Sequence, residues 1–111
     1  MNYVRITVLK TTVQEDLIGR YGAPGLTACR RMREGQVFHS NTNPPTGFCP
    51  DAWRAIQPFV FTLAHTPMQE VLLDGAWVRK PGVAICSCSD GLRPVIFRLE
   101  ATDRPVGDGA R

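Results

Sequence analysis

Hydrophobic and polar positions alternate over residues 3–9 (YVRITVL), with Val4, Ile6 and Val8 falling between Tyr3, Arg5, Thr7 and Leu9. A period of two in β-branched residues predicts a strand whose Val4, Ile6 and Val8 face a core. The period then lengthens: Val13, Leu17 and Tyr21 recur at i, i+4 and i+8, one face of a short helix. Thr12 and Glu15 have the T-x-x-E spacing of a capping box, and Gly22 stands where such a helix can end. Residues 23–27 form a Pro/Gly loop leading to Cys29 and to the basic run of Arg30, Arg31 and Arg33. Glu34 and Gly35 read as a turn into a strand at residues 36–40, and SNTNPPTG (residues 40–47) resists regular structure.

A second helix is predicted from Pro50 to about Ala64. Trp53, Ile56, Val60 and Leu63 mark its apolar side, and Pro58 is expected to kink or interrupt it. Residues 83–89 and 95–100 read as two strands joined across Ser89, Asp90 and Gly91, since Asp-Gly between apolar runs is a hairpin signal. The sum is an α+β domain, a small antiparallel sheet of about four strands with two helices, over residues 1–101. Residues 102–111 are expected to be a polar tail that adds little to the core.

At 111 residues the chain fits one domain, large enough to fold without covalent staples. A formal charge of +3 permits an anionic ligand but is too small to point to nucleic acid. The N-terminus lacks a charged segment followed by a long apolar run, and the longest apolar stretch (residues 59–64) is far too short to span a bilayer. The expectation is therefore a cytoplasmic protein, with its four cysteines free, metal-bound or reactive rather than in disulfides.

In an extended strand Cys86 and Cys88 share a face, with Cα atoms about 6.6–6.8 Å apart, near the outer limit for bonding to each other. Small apolar-behaving thiols also fill sheet faces. Packing is the stronger reading for Cys86, while Cys88, beside the turn, is open to either. Pro50 suits the first helical position, which makes Cys49 the N-cap residue, facing the positive end of the helix dipole, with Asp51 opposing that effect. Cys29 precedes two arginines that would favour a thiolate if they face it. No C-x2-C or H-x3-H pair occurs, and the spacings of 20, 37 and 2 residues leave any shared site to the fold. His39 and His65 are lone histidines. Asp90 suits turn chemistry as well as acid–base work, and Arg93 could hold an anion or tie down its own loop.

Three further stretches carry a resemblance. Glu34-Gly35-Gln36-Val37-Phe38, then Gly47-Phe48-Cys49 followed by Ala52, Trp53 and Ile56, and finally Cys88-Ser89-Asp90-Gly91-Leu92-Arg93-Pro94-Val95-Ile96-Phe97 through Glu100 occur in that order. The chain resembles a small prokaryotic family of uncharacterised proteins with E-G-Q-x-F, G-F-C-x-x-A-W and C-[ST]-D-G-[LIV]-R-P-V-x-F-x-x-E motifs. That family often has two adjacent cysteines before its serine or threonine; here Ser87 takes the place of the first. The resemblance implies that Cys29, Cys49 and Cys88 form a set with Gln36, Trp53, Asp90 and Arg93.

These observations lead to three expectations. The first is a cysteine-lined site, either a zinc or iron–sulfur centre on Cys29, Cys49 and Cys88 with Cys86 or a histidine as fourth ligand, or a reactive thiol. The second is a metal-free small-molecule enzyme, in specialised metabolism for example, in which Cys49, Cys88 or Asp90 does the chemistry. There Arg93 would anchor an anion, and Phe48, Trp53 and Gln36 would help line the pocket. The third is an interaction module with inert thiols. Open sheet edges make a homodimer plausible in any of them.

Overall fold

The computed structural model describes residues 1–103, apart from the side chain of residue 74; most of the expected tail lies outside the described residues. The elements run β1 (Tyr3–Thr11), α1 (Glu15–Tyr21), β2 (Val37–Ser40), α2 (Pro50–His65), a 3-10 turn at Leu72–Gly75, β3 (Val83–Ser87) and β4 (Val95–Thr102). One sheet in the order β2-β1-β4-β3, antiparallel throughout, carries α2 against one face. This is the α+β domain expected of the sequence. β4 extends to Thr102, which pairs with Tyr3, so the last strand runs one residue past the expected domain boundary. No helix among the described residues is long and apolar enough to cross a membrane.

The alternation read from the sequence sets the inner face. Val4, Ile6 and Val8 of β1 join Val95, Phe97 and Leu99 of β4 and Ala84 of β3, all nearly or fully buried. Ile6 lies opposite Leu99, Val8 opposite Phe97, and Cys86 opposite Phe97. α2 lays Ala52, Ile56, Val60, Leu63 and Ala64 onto this face. Three of these, Ile56, Val60 and Leu63, have no exposed surface, each worth about 1.5–3 kcal/mol of burial. The β1–β4 register shifts between Val8 and Lys10, where one extra residue bends the end of β1 toward the β3–β4 connection.

The two helices depart from expectation in different ways. α2 runs unbroken through Pro58 because the proline is on its solvent side, where a carbonyl without its N–H partner can meet water. The Thr62 hydroxyl donates to the Pro58 carbonyl (3.0 Å) in the next turn. α1, by contrast, starts at Glu15 behind an N-cap of Gln14 that has no side-chain cap, so the capping box is not formed. The Thr12 hydroxyl instead donates to the carbonyl of Pro94 (2.6 Å), and the Gln14 N–H to that of Leu92 (2.8 Å). The face of Val13, Leu17 and Tyr21, expected to pack, is 37%, 38% and 70% exposed. α1 is fixed by the backbone before it rather than by its apolar stripe.

Candidate functional site

At the end of the sheet where β3 gives way to its connection with β4, three chain segments meet around a cavity of about 130 Å³. Its walls include Cys29 and Arg31, Cys49 and Asp51, and Cys88 with Asp90 and Arg93. Three of the four thiols, remote from one another in sequence, thus line one space. Each segment is fixed by a specific anchor.

Cys49 is placed by its neighbours. Phe48 is buried among Phe38, Trp53 and Phe97, with ring centroids 5.0, 6.2 and 5.5 Å away. Pro50 opens α2, so Cys49 is its N-cap, as the sequence indicated, and no side-chain cap hydrogen bond forms there. Asp51 is paired with Arg54 on the exposed first turn. The arginine loop is held by Met32, which is only 2% exposed and inserts into the core between exposed Arg31 and Arg33. That anchor turns Arg31 toward the cavity: its backbone N–H lies 3.4 Å from Cys29 Sγ, and its Nη1 lies 3.8 Å from Cys49 Sγ.

Cys88 closes the sheet. Its N–H donates to the Val95 carbonyl (3.1 Å), and the Val95 N–H approaches its Sγ at 3.3 Å. The following turn is organised by Asp90. One carboxylate oxygen accepts from the N–H groups of Leu92 (2.9 Å) and Arg93 (3.2 Å), and the other accepts from Arg93 Nε (3.0 Å). Burial, the largest single influence, pushes this carboxyl up. The two backbone N–H groups and the Arg93 guanidinium outweigh it and hold the carboxyl below its ordinary value. Arg93 Nη1 reaches the Thr27 carbonyl at 3.4 Å, tying this turn to the Cys29 loop.

The expected site residues therefore divide. Cys29, Cys49, Cys88, Asp90 and Arg93 line one cavity. Both oxygens of Asp90 are engaged in the turn, an arrangement that favours holding Arg93 over shuttling protons. Cys86 is not in this wall; it projects onto the inner face opposite Phe97, and burial pushes its thiol up from 9.0 to about 11. Phe48 and Trp53 belong to the aromatic cluster behind the site rather than to its lining. Gln36 is elsewhere, its side-chain oxygen accepting from the Arg33 N–H (2.7 Å), beside a separate hollow of about 500 Å³ along β2. That hollow contains neither a thiol nor a carboxylate.

Arg31 is a pocket residue whose role depends on the fold; the sequence signal for it was the single methionine set within a basic run. Among the described residues no three His, Cys, Asp or Glu side chains are grouped so as to hold a metal ion. Family models, curated proteins and solved structures yield no match to this chain.

Proposed function

We propose that Cys29, Cys49 and Cys88 act together as a reactive-thiol site that captures a small electrophilic ligand through sulfur. The observation that carries this reading is the convergence of three thiols from three segments on one small cavity. The motif resemblance groups the same three and leaves Cys86 apart. The cavity, about 130 Å³, is smaller than the roughly 300–1,000 Å³ of drug-sized sites and admits a ligand of few atoms or the end of a longer one.

Cys49 is assigned as the nucleophile because a guanidinium reaches its sulfur and its position opens a sixteen-residue helix. Cations and helix N-termini are the surroundings in which cysteines react. In the reaction the thiol proton passes to solvent and a sulfur lone pair forms the bond to the electrophilic carbon. The displaced group leaves with its bonding pair.

Iodoacetamide and peptide mass spectrometry test this directly. In the native protein Cys49 is expected to be alkylated first, with Cys29 and Cys88 following and Cys86 reacting only after unfolding in urea. Equal rates at all four cysteines, or no labelling until unfolding, would overturn the reading. So would a stoichiometric zinc or iron carried by the purified protein, which would return the thiols to a metal centre.

A further inference from the structure

We propose that the thiol pocket selects anionic ligands, with Arg31 and Arg93 holding a carboxylate or phosphate group while Cys49 engages the electrophilic centre. The proposal rests on the reading of the three cysteines as one reactive site and adds its substrate class. It follows from how the charges around the cavity are already committed. Two guanidiniums and two carboxylates stand in the lining, which would cancel if all four were free. They are not.

Asp90 uses both oxygens on Leu92, Arg93 and the turn between them. Asp51 is paired with Arg54, which lies outside the cavity wall. Arg31, in contrast, has no carboxylate partner among the described residues, and its Nη1 faces a sulfur. Arg93 is held by Nε and Nη1, which fixes the plane of its guanidinium, while its Nη2 has no hydrogen-bond partner among the described residues. A guanidinium held in plane through Nε and Nη1 keeps Nη2 to donate to a carboxylate or phosphate oxygen. A ligand anion would thus meet one guanidinium from the Cys29 loop and another from the β3–β4 turn, with the Cys49 thiol at the rim of α2.

Iodoacetate and iodoacetamide separate this proposal from the one beneath it. Both form the same sulfur–carbon bond with loss of iodide, and they differ in one negative charge. The ratio of their rates at Cys49 in the native protein is expected to exceed the ratio at Cys49 in the urea-unfolded chain by about tenfold, the lower end of electrostatic enhancement by charged clefts. The excess should shrink with added salt and in Arg31→Gln. Arg31 is exposed, so that variant does not threaten the fold. Arg93→Lys, which keeps the charge but loses the fixed fork, should retain only part of the excess. Protection of Cys49 by sodium acetate or by inorganic phosphate then tells which anion the clamp takes.

A native ratio equal to the unfolded one, with fast iodoacetamide labelling of Cys49, would overturn anion selection and leave the thiol site standing. An excess unchanged in both arginine variants would also overturn it. Slow labelling of Cys49 by both reagents would overturn the thiol site itself.

Discussion

Cys86 and Cys88 are two residues apart on one segment, yet they belong to different regions of the molecule. Cys86 is inside β3, opposite Phe97, on the sheet face that α2 covers. Cys88 is just past the strand, where the inner face ends and the Cys29 loop, the start of α2 and the β3–β4 turn leave a gap. The chemical difference between the two thiols is thus one of position along the sheet. Both are partly buried, but α2 and Phe97 cover the strand at Cys86, whereas Cys88 lines the cavity. The comparison also shows what each region depends on. The covered region is held by apolar area, and the pocket region by directed hydrogen bonds to the Asp90 carboxylate, to the Thr27 and Val95 carbonyls and to the sulfurs of Cys29, Cys49 and Cys88.

The largest effect should come from removing the cover. Phe97 has no exposed surface and touches both regions, packing its ring against Phe48 and standing across from Cys86. Phe97→Ala should cost about 3–5 kcal/mol, read as a fall in the urea midpoint. It should also abolish the distinction between the cysteines, Cys86 becoming labelled by iodoacetamide without urea. A variant that lost stability but kept Cys86 protected would show that something other than this packing shields it.

A smaller effect, confined to the pocket region, is expected of Asp90→Ala. The lost hydrogen bonds are charge-assisted but partly exposed, which places the cost at about 1–2 kcal/mol. Its pH dependence identifies the cause. The folded carboxyl titrates below its unfolded value of 3.8. The contribution is therefore complete above that value and is lost as pH falls through the folded one. The gap in stability between native protein and Asp90→Ala should close on acidification below about pH 4. A gap that stayed constant to pH 2 would mean that the carboxylate's charge contributes nothing. Cys86 should remain protected in this variant, since the turn is not what covers it.

The covered region was far more legible in the sequence than the pocket. Alternation at Val4, Ile6 and Val8 and the spacing of Ile56, Val60 and Leu63 are local records of a face, and each face met a partner. The apolar stripe of α1 is as regular, yet stays exposed, because seven residues tied by Thr12 and Gln14 to the β3–β4 connection are positioned before their side chains can choose. At the pocket, a local rule placed Cys49 correctly, since proline at the first helical position is a short-range signal. Nothing local could reveal that Arg31, rather than Arg30 or Arg33, faces a sulfur, because that depends on Met32 reaching the core. Phe48, Trp53 and Gln36 show the converse. They are near the site in the motif order, but aromatic packing and a turn hydrogen bond direct them elsewhere.

The finest probe of the comparison is alkaline titration of Cys86. Its thiol is held up at about 11 against 9.0 in the unfolded chain, because burial disfavours the thiolate. Below the unfolded value both states keep the proton and the group contributes no pH dependence. As pH rises above 9.0 the unfolded chain releases its proton while the folded one retains it, so the balance shifts toward unfolding until the folded thiol also ionises near 11. Cys86→Val, close in volume and without a titrating group, should therefore lose less stability than the native protein between these two values, and run parallel to it at neutral pH. Because other groups titrate there too, the quantity to measure is the difference between the two urea midpoints as a function of pH. A rising difference would tie the Cys86 thiol to the covered face. A flat difference would mean that burial by α2 and Phe97 does not hold the proton on this sulfur.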